Sequence, residues 1–248
     1  MPRLSGDMSP PFPTGDKWAM FLDVDGTLLE MMDDPNGVVV PEGIHTLLKR
    51  LKNRFNGALA LVSGRSLSSL DGLFGGVDLD AAGCHGGEWR QEGIRRSLKC
   101  EAAFDNLARC LEHRLADFPG IILERKPCSL ALHYRQPLAS PAQARQLARS
   151  LIPFRESPFR LLEGKRVIEI LPRGAGKDTA ISRFLETSSY TARTPVFIGD
   201  DLTDEEGFAE VNRRGGISIR VGLTGETVAH FRCPSVSGVT RWLESLDP

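Results

Sequence analysis

The sequence lacks three features that would assign it to a specialised class of protein. No apolar run among its 248 residues approaches the roughly 20 residues needed to span a bilayer. Its five cysteines form no C-x-x-C pair, which argues against a zinc site. Basic and acidic residues nearly balance at a net charge of −1, which argues against nucleic acid or an anionic membrane as a partner.

We also expect no export signal. Residues 1–16 are rich in proline and polar residues without an apolar segment, so we expect a flexible tail and not a signal peptide. An odd number of scattered cysteines in a chain of this size is typical of reduced thiols. We therefore expect a cytoplasmic protein. The sequence leaves its oligomeric state open, with a monomer favoured.

Short apolar runs alternate with amphipathic helices at both ends of the chain. The runs suit strands buried on both faces of a parallel sheet, because few polar residues interrupt them. They cover residues 18–24, 58–62, 79–84, 195–199 and 216–221. Helical spacing follows at 41–55, 66–73, 203–212 and 239–246. This rhythm predicts an α/β fold with a doubly wound parallel sheet.

The middle of the chain has a different order of elements, α-β-β-α-β-β. The second helix of this order has a clear start, because Ser140 and Gln143 form a capping box and Pro141 suits the first helical position. Hairpins and helices in that order predict an α+β module. We place this module at 101–172, inserted into a core made of 17–100 and 173–248.

Two carboxylates end the first predicted strand, in the stretch Asp23-Val-Asp25-Gly-Thr-Leu. Residues two apart on an extended chain project to the same side, where a cation or a shared proton must offset their repulsion. An Asp-Gly turn after a strand is common by itself. The complete D-x-D-G-T-L pattern nevertheless favours a functional site.

Two further stretches could hold an anion. Ser63-Gly64-Arg65 follows the second predicted strand, where it could bind an anion or simply cap the next helix. Lys177 begins a predicted helix and could bind phosphate. The Walker pattern fails around it, and a solvated lysine is the simpler interpretation when it is taken alone.

The stretch from Asp200 to Glu206 is strongly acidic. Part of it has a structural explanation, since Thr203 and Glu206 are interpreted as a capping box and Asp204 lies in the first helical turn. Asp200 and Asp201 remain, and carboxylate oxygens suit Mg²⁺. Asp23, Ser63 and Asp200 each follow a predicted strand. Because open parallel sheets bind ligands at that edge, we predict one common site.

These stretches, in this order, resemble the haloacid-dehalogenase-like (HAD) phosphatases. The resemblance implies that Asp23 is the nucleophile, which forms an aspartyl-phosphate, and that Asp25 is the general acid and then the base. Ser63 and Lys177 would hold the phosphate. The implied ligands of Mg²⁺ are Asp23, the carbonyl of Asp25, and Asp200, supported by Asp201 or Asp204.

Within that superfamily the chain is similar to the trehalose-6-phosphate phosphatases of trehalose biosynthesis. The similarity is carried by residues 82–88, 124–135, 164–172 and 199–205. The middle module would then be a cap over the crevice. Candidates to bind substrate are Gly64, Arg65, His85, Glu88, Glu124, Lys126, His133, Arg135 and Glu169. Alternating charges on the cap strands could instead form the solvated face of a hairpin. One departure is Gly87, where the family usually has a bulkier residue.

Two alternatives stay open from the sequence. The first keeps the enzyme class and changes the substrate, to sucrose 6-phosphate or mannosyl-3-phosphoglycerate. The second is an inactive sensor of sugar phosphates, against which the presence of every expected catalytic position argues.

Overall fold

A computed structural model shows two β-sheets with helices packed against them. It describes residues 10–11, 17–32, 37–98, 101–152 and 157–246. The predicted N-terminal tail lies outside the described residues, apart from residues 10 and 11. None of the helices in the described ranges has both the length and the apolar character needed to cross a membrane.

The described residues form twelve strands and seven α-helices. The strands are β1 (Trp18–Leu22), β2 (Leu59–Val62), β3 (Asp80–Gly83), β4 (Glu88–Gln91), β5 (Ile94–Ser97), β6 (Ile122–Lys126), β7 (Ser129–His133), β8 (Phe159–Gly164), β9 (Val167–Pro172), β10 (Thr194–Gly199), β11 (Ile217–Val221) and β12 (Phe231–Cys233). The helices are α1 (Ile44–Arg54), α2 (Leu67–Phe74), α3 (Glu101–Arg114), α4 (Pro141–Leu151), α5 (Lys177–Leu185), α6 (Glu205–Arg213) and α7 (Val236–Ser245).

The larger sheet has the order β12-β11-β10-β1-β2-β3-β4-β5. The chain first builds outward from β1 to β3, then returns to β10 on the other side of β1 and builds outward to β12. The six strands from β12 to β3 are parallel, which confirms the predicted α/β fold. β4 and β5 add an antiparallel hairpin at one edge. Sequence reasoning missed this hairpin, because its strands are polar and β5 is fully exposed.

The core of the larger sheet is continuous and rich in aromatic residues. Every residue of β1 is buried, and Phe21 stacks on Tyr190 with ring centroids 5.6 Å apart. Tyr190 is completely buried, and its hydroxyl donates a 2.9 Å hydrogen bond to Asp80. A buried hydroxyl needs such a partner. This packing holds β1, and therefore the residues that follow it, in a fixed position.

A second unit, which we call the small-sheet unit, consists of α3, β6, β7, α4, β8 and β9. Its sheet has the order β6-β7-β9-β8 and is antiparallel throughout. It has a hydrophobic cluster of its own, in which the ring centroids of Phe104 and Phe159 lie 4.6 Å apart. The predicted capping box of Ser140 and Gln143 starts α4. The domain boundaries at 101 and 172 stay a prediction.

Helix α6 begins differently from the prediction. A 3-10 turn over Leu202–Asp204 precedes it, and the capping box joins Asp201 to Asp204. The predicted box of Thr203 with Glu206 is therefore wrong. The physical reason is that Asp201, an equally good N-cap residue, comes first in the chain and has the extended backbone that a cap requires.

Gly87 has a packing explanation. Its backbone is ordinary, with φ of −67°, so only space constrains it. A Cβ atom at this position would lie 2.8 Å from Cβ of Cys128 and 3.1 Å from the carbonyl oxygen of Cys84. The small-sheet unit approaches the core too closely here for a side chain. This close approach accounts for the departure from the family pattern.

Substitution of Gly87 by alanine tests that close approach. We expect Gly87→Ala to lower the free energy of unfolding by about 1–3 kcal/mol, because the added methyl overpacks the contact. Gly72→Ala is the matched control, since Gly72 is exposed in α2 with no atom near its would-be Cβ. The control is expected to gain about 0.5–1 kcal/mol from helix propensity. Urea unfolding of both variants measures the difference, and equal effects would contradict the packing argument.

Candidate active site

Three predicted site residues meet because their strands are neighbours. Asp23 directly follows β1, Ser63 follows β2 and Asp200 follows β10. β10, β1 and β2 are adjacent and parallel, so their carboxyl ends lie at the same edge of the sheet. The order of strands reverses between β1 and β10, which makes this edge the topological switch point where open α/β sheets bind ligands.

Lys177 joins the acids at this edge. Its ammonium group donates to Asp23 Oδ1 at 2.7 Å and to Asp204 Oδ1 at 2.5 Å. The side chain of Lys177 is only 2% exposed, that of Asp23 6% and that of Asp204 0%. Burial by itself lowers the pKa of Lys177, but Asp204 and Asp23 outweigh it, so the pKa lies above its usual value. Lys177 is therefore a permanent cation and not a solvated surface lysine.

Asp200 completes a cluster of three carboxylates. Three carboxylate oxygens, one each from Asp23, Asp200 and Asp204, lie within 4.8 Å of one another. Gly26 permits this arrangement, because it has φ of +80° and a Cβ there would lie 2.3 Å from Asp200 Oδ2. Any other residue would be strained and would collide with the carboxylate.

The cluster holds more negative charge than Lys177 can offset. Burial raises the pKa of Asp23 well above its usual range, against the opposing effect of Lys177. Burial and the neighbouring Asp204 raise the pKa of Asp200 to about 7. Two of these carboxyls therefore tend to take up protons unless another cation is present.

The cluster fits a divalent cation. Asp200 Oδ1 is buried and has no hydrogen-bond partner among the described residues, which is an unusual state for a carboxylate oxygen. Asp204 differs, because Oδ1 accepts from Lys177 and Oδ2 accepts from the backbone N–H groups of Asp200 and Asp201. Hard oxygen ligands of this kind suit Mg²⁺. Within the cluster, Asp200 therefore has an oxygen available to a cation, whereas both oxygens of Asp204 are already engaged.

Asp25 makes a bidentate ion pair with Arg65. Its two oxygens accept from Nε at 2.7 Å and from Nη2 at 2.6 Å. Arg65 also donates to Ser69 at 3.3 Å. Each oxygen of Asp25 thus accepts one hydrogen bond from Arg65.

Ser63 and Gly64 form a tight loop beside Asp23. Ser63 is 1% exposed, and its hydroxyl accepts from the backbone N–H of Arg65 at 3.2 Å. A Cβ on Gly64 would stand 2.5 Å from Nε2 of His85. Glycine is therefore needed for His85 to lie against the loop.

A second buried ion cluster joins the small-sheet unit to the core. Lys126 donates to Glu169 at 2.8 Å and to the carbonyl oxygen of Gly64 at 3.1 Å. His85 Nε2 lies 3.6 Å from the same oxygen of Glu169. Burial lowers the pKa of His85 and so favours its neutral form. Lys126 thus ties β6 and β9 directly to the loop that follows Ser63.

Glu124 lies on β6 and His133 lies on the neighbouring strand β7. Glu124 shares one face of β6 with Lys126, and its carboxylate bonds to His133 Nε2 at 2.8 Å. That hydrogen bond lowers the pKa of Glu124 despite partial burial. The polar face of this sheet therefore consists of paired groups that are directed toward the core.

Most of these groups surround one cavity of about 370 Å³. The size is in the range of small-molecule sites. The predicted site residues that line it are Asp23, Asp25, Ser63, Gly64, Arg65, His85, Glu124, Lys126, His133, Arg135, Glu169, Lys177, Asp200 and Asp201. Acids and Lys177 occupy the core side, and side chains of the small-sheet unit occupy the other.

Comparison with known proteins gives this arrangement a family. The profile of the trehalose-phosphatase family matches residues 21–235. The trehalose-6-phosphate phosphatase of Escherichia coli (strain K12) is 42% identical over 93% of this chain and 86% of its own length. A probable trehalose-phosphate phosphatase of Sinorhizobium fredii is 39% identical over 84% of this chain and 78% of its own length. The chain belongs to the trehalose-phosphatase family. It is a phosphatase.

Solved structures agree on the fold of this trehalose-phosphatase family member. The C-terminal domain of the C. albicans trehalose-6-phosphate phosphatase matches with a TM-score of 0.79 at 20% identity, covering 98% of this chain and 99% of that one. A sucrose-phosphatase from Synechocystis matches with a TM-score of 0.63 at 17% identity, covering 94% and 99%. At such identities the likeness shows the fold alone.

Two predicted site residues do not line the cavity. Glu88 accepts from the backbone N–H of Leu67 at 2.8 Å, at the start of α2, and has Cys84 Sγ at 3.5 Å. Its observed contacts are structural. Asp204 lies beneath the cavity, fully buried. Asp201 lines the cavity, but its carboxylate accepts from the backbone N–H of Lys165, and it is not one of the three clustered acids.

Sequence reasoning missed several residues that line the cavity. These are Met31, Met32, Ser66, Ser69, Val167 and Thr203. Of the two methionines, Met32 is 46% exposed. Their position a few residues after the D-x-D motif was the available signal. Val167 offered none, because only the pairing of β9 with β7 brings it to the cavity.

The pH dependence of stability tests the buried cluster around Glu169. Burial disfavours the charge of Glu169, but Lys126 and His85 outweigh it and lower the pKa from 4.5 to about 2. A carboxyl whose pKa is lower in the folded than in the unfolded protein stabilises the fold at pH values above the unfolded-state pKa. That contribution is lost as the pH falls toward the folded-state pKa. Glu169→Gln should therefore cost about 2–3 kcal/mol near neutral pH.

The difference between wild type and Glu169→Gln should shrink by about 1.4 kcal/mol per pH unit below roughly pH 4.5. Urea unfolding at a series of pH values measures it. Glu163→Gln, at an exposed ion pair with Arg145, is the control and should cost little. A difference that stays constant or grows on acidification would contradict the buried ion pair.

Proposed function

We propose that this protein hydrolyses trehalose 6-phosphate to trehalose and phosphate with the help of Mg²⁺. The observation that carries the proposal is one cavity with two unlike sides. One side presents buried acids and a fixed ammonium group, which suit a phosphoryl group. The other presents Glu124, Lys126, His133 and Glu169, which suit sugar hydroxyls, since each desolvated hydroxyl needs a partner. The identity to curated trehalose-6-phosphate phosphatases supports the choice of sugar.

The proposed reaction proceeds through two displacements. Asp23 attacks phosphorus, the bond from phosphorus to the sugar oxygen breaks, and Asp25 gives a proton to that oxygen. Asp25 then takes a proton from water, which attacks the aspartyl-phosphate and regenerates Asp23. A carboxylate nucleophile divides one difficult displacement into two easier ones, and Asp25 reverses its role between them.

Several groups stabilise the anionic centre. Lys177 is held by Asp204 and is charged at all relevant pH values, so it offsets repulsion between Asp23 and the phosphoryl group. Ser63 lines the same cavity, where its hydroxyl would donate to the phosphoryl group. Asp23, Asp200 and the carbonyl of Asp25 would hold Mg²⁺, which would supply further positive charge beside the phosphoryl group.

The small-sheet unit acts as a cap in this proposal. Its contacts with the core are specific: Arg160 makes a bidentate pair with Glu206 at 2.6 and 2.7 Å, and the backbone N–H of Lys165 donates to Asp201. These two links are polar and at least partly exposed, so they can separate and re-form. A cap of this kind admits the disaccharide and then excludes water around it.

Replacement of the nucleophile tests the covalent step. We expect Asp23→Asn to lower kcat for phosphate release by at least about 10³-fold, because an amide does not form the acyl-phosphate. Asp78→Asn removes an acid whose side chain is 85% exposed and should behave like wild type. Circular dichroism and thermal unfolding establish that both variants fold. A folded Asp23→Asn protein with undiminished activity would rule out Asp23 as nucleophile.

Removal of the metal tests the carboxylate cluster. Chelation is expected to abolish phosphate release, and added Mg²⁺ should restore it. Asp200→Asn should raise the Mg²⁺ concentration for half-maximal activity by about 10–100-fold, because the unpartnered oxygen of Asp200 is the proposed ligand. Asp201→Asn should raise the Mg²⁺ concentration for half-maximal activity less than Asp200→Asn does. Equal shifts in the two variants would contradict the assignment of Asp200.

A substrate panel decides between sugars. We expect kcat/KM to be highest for trehalose 6-phosphate, and lower for sucrose 6-phosphate, mannosyl-3-phosphoglycerate and p-nitrophenyl phosphate. Glu124→Gln should lower kcat/KM for trehalose 6-phosphate by about 10-fold or more and change p-nitrophenyl phosphate hydrolysis little, because the latter has no sugar to bind. Similar values across the sugar phosphates would contradict the specificity, and no turnover of any ester would favour the sensor.

A further inference from the structure

Two buried cysteines meet where the small-sheet unit contacts the core. Cys84 directly follows β3 in the core, and Cys128 lies in the turn between β6 and β7. They are 0% and 4% exposed. Neither lines the cavity nor belongs to the acid and lysine cluster. The proposed phosphatase chemistry therefore leaves this thiol pair without a role.

The two residues are in direct contact. The backbone N–H of Cys128 bonds to the sulfur of Cys84. Gly87 lies against both, since a Cβ there would be 2.8 Å from Cβ of Cys128 and 3.1 Å from the carbonyl oxygen of Cys84. The sulfur of Cys84 thus contacts the backbone of Cys128, and a disulfide between the two residues would further require a Cβ–Cβ distance of about 3.5–4.5 Å.

We propose that Cys84 and Cys128 form an oxidation site, at which a peroxide converts the thiol pair into a disulfide that locks the small-sheet unit onto the core. A bond between these residues would cross the interface, because one belongs to each side. Cys84 immediately precedes His85, and Cys128 is two residues from Lys126. The bond would therefore hold the two units together behind the cavity wall to which His85 and Lys126 contribute.

The proposed chemistry balances with hydrogen peroxide as oxidant. One thiol attacks a peroxide oxygen, which gives a sulfenic acid and releases one water. The second thiol attacks the sulfenic sulfur, the sulfur–oxygen bond breaks, and the hydroxyl leaves as a second water. Two thiols and one peroxide thus yield one disulfide and two waters. A dithiol reductant reverses the bond by exchange.

The closed arrangement protects the thiols. Burial and then the Glu88 carboxylate raise the pKa of the Cys84 thiol, so little thiolate is present. Peroxide reaches the pair only when the small-sheet unit moves away from the core. The same movement admits substrate, so bound substrate should slow oxidation. The site would stop turnover under peroxide stress without reacting at rest.

Disulfide mapping combined with activity tests this proposal. The full chain is treated with hydrogen peroxide, remaining thiols are alkylated, and peptides are mapped by mass spectrometry without reduction. Phosphate release from trehalose 6-phosphate is measured before oxidation, after it, and after dithiothreitol. We expect a linked Cys84–Cys128 peptide and a loss of activity of at least about 10-fold, both reversed by dithiothreitol.

Variants separate this pair from other thiols. Cys128→Ser should keep basal activity and resist peroxide, and Cys84→Ala serves as a second test of the pair. Cys110→Ser removes an exposed cysteine of α3 and should respond like wild type. An oxidised wild type without the linked peptide, a linked protein with full activity, or equal inactivation of Cys128→Ser would each overturn the proposal.

The activity measurement rests on the proposed function, whereas the mapping does not. Failure to release phosphate from trehalose 6-phosphate before oxidation would count against the proposed function alone. The linked peptide would still decide whether the pair forms a disulfide.

Discussion

The site depends on one buried cation held between two buried carboxylates. Lys177 contacts Asp23 and Asp204 at hydrogen-bond distance with almost no exposure to solvent. Such a pair is stable only while every partner is present, because an unpaired buried charge is costly. Asp204 in turn orders the backbone of Asp200 and Asp201. The lysine therefore fixes both the proposed nucleophile and the loop that supplies the metal ligand.

The small-sheet unit repeats this principle on the opposite side of the cavity. Lys126 is buried between Glu169 and the carbonyl of Gly64, so a charge from one unit is satisfied by a backbone group of the other. Arg160 and Glu206 make a similar link farther out. Polar links of this kind fix the register of the two units, and relative motion is the default between units joined by polar interfaces. That combination suits a cap that must open for a disaccharide.

The sequence predicted most elements, because buried strands and amphipathic helices leave clear apolar periods. Sequence-based prediction failed where polar residues obscure the apolar period of a strand, or where two residues compete to cap a helix. The hairpin of β4 and β5 is too polar, β12 is too short, and α6 begins after a 3-10 turn capped by Asp201. Among the site residues, the motifs around Asp23, Ser63 and Asp200 were recognisable from the strands that they follow, while Val167 had no local signal.

The sequence by itself determined the fold class and the chemical groups available, since apolar period and motif are local properties of the chain. Only the tertiary structure decided which of those groups work together. It paired Lys177 with Asp23 across 154 positions, turned Glu88 toward the start of α2, sent Asp204 beneath the cavity, and brought Cys84 against Cys128. Those outcomes depend on strand order and on the approach of two sheets, which no local pattern encodes.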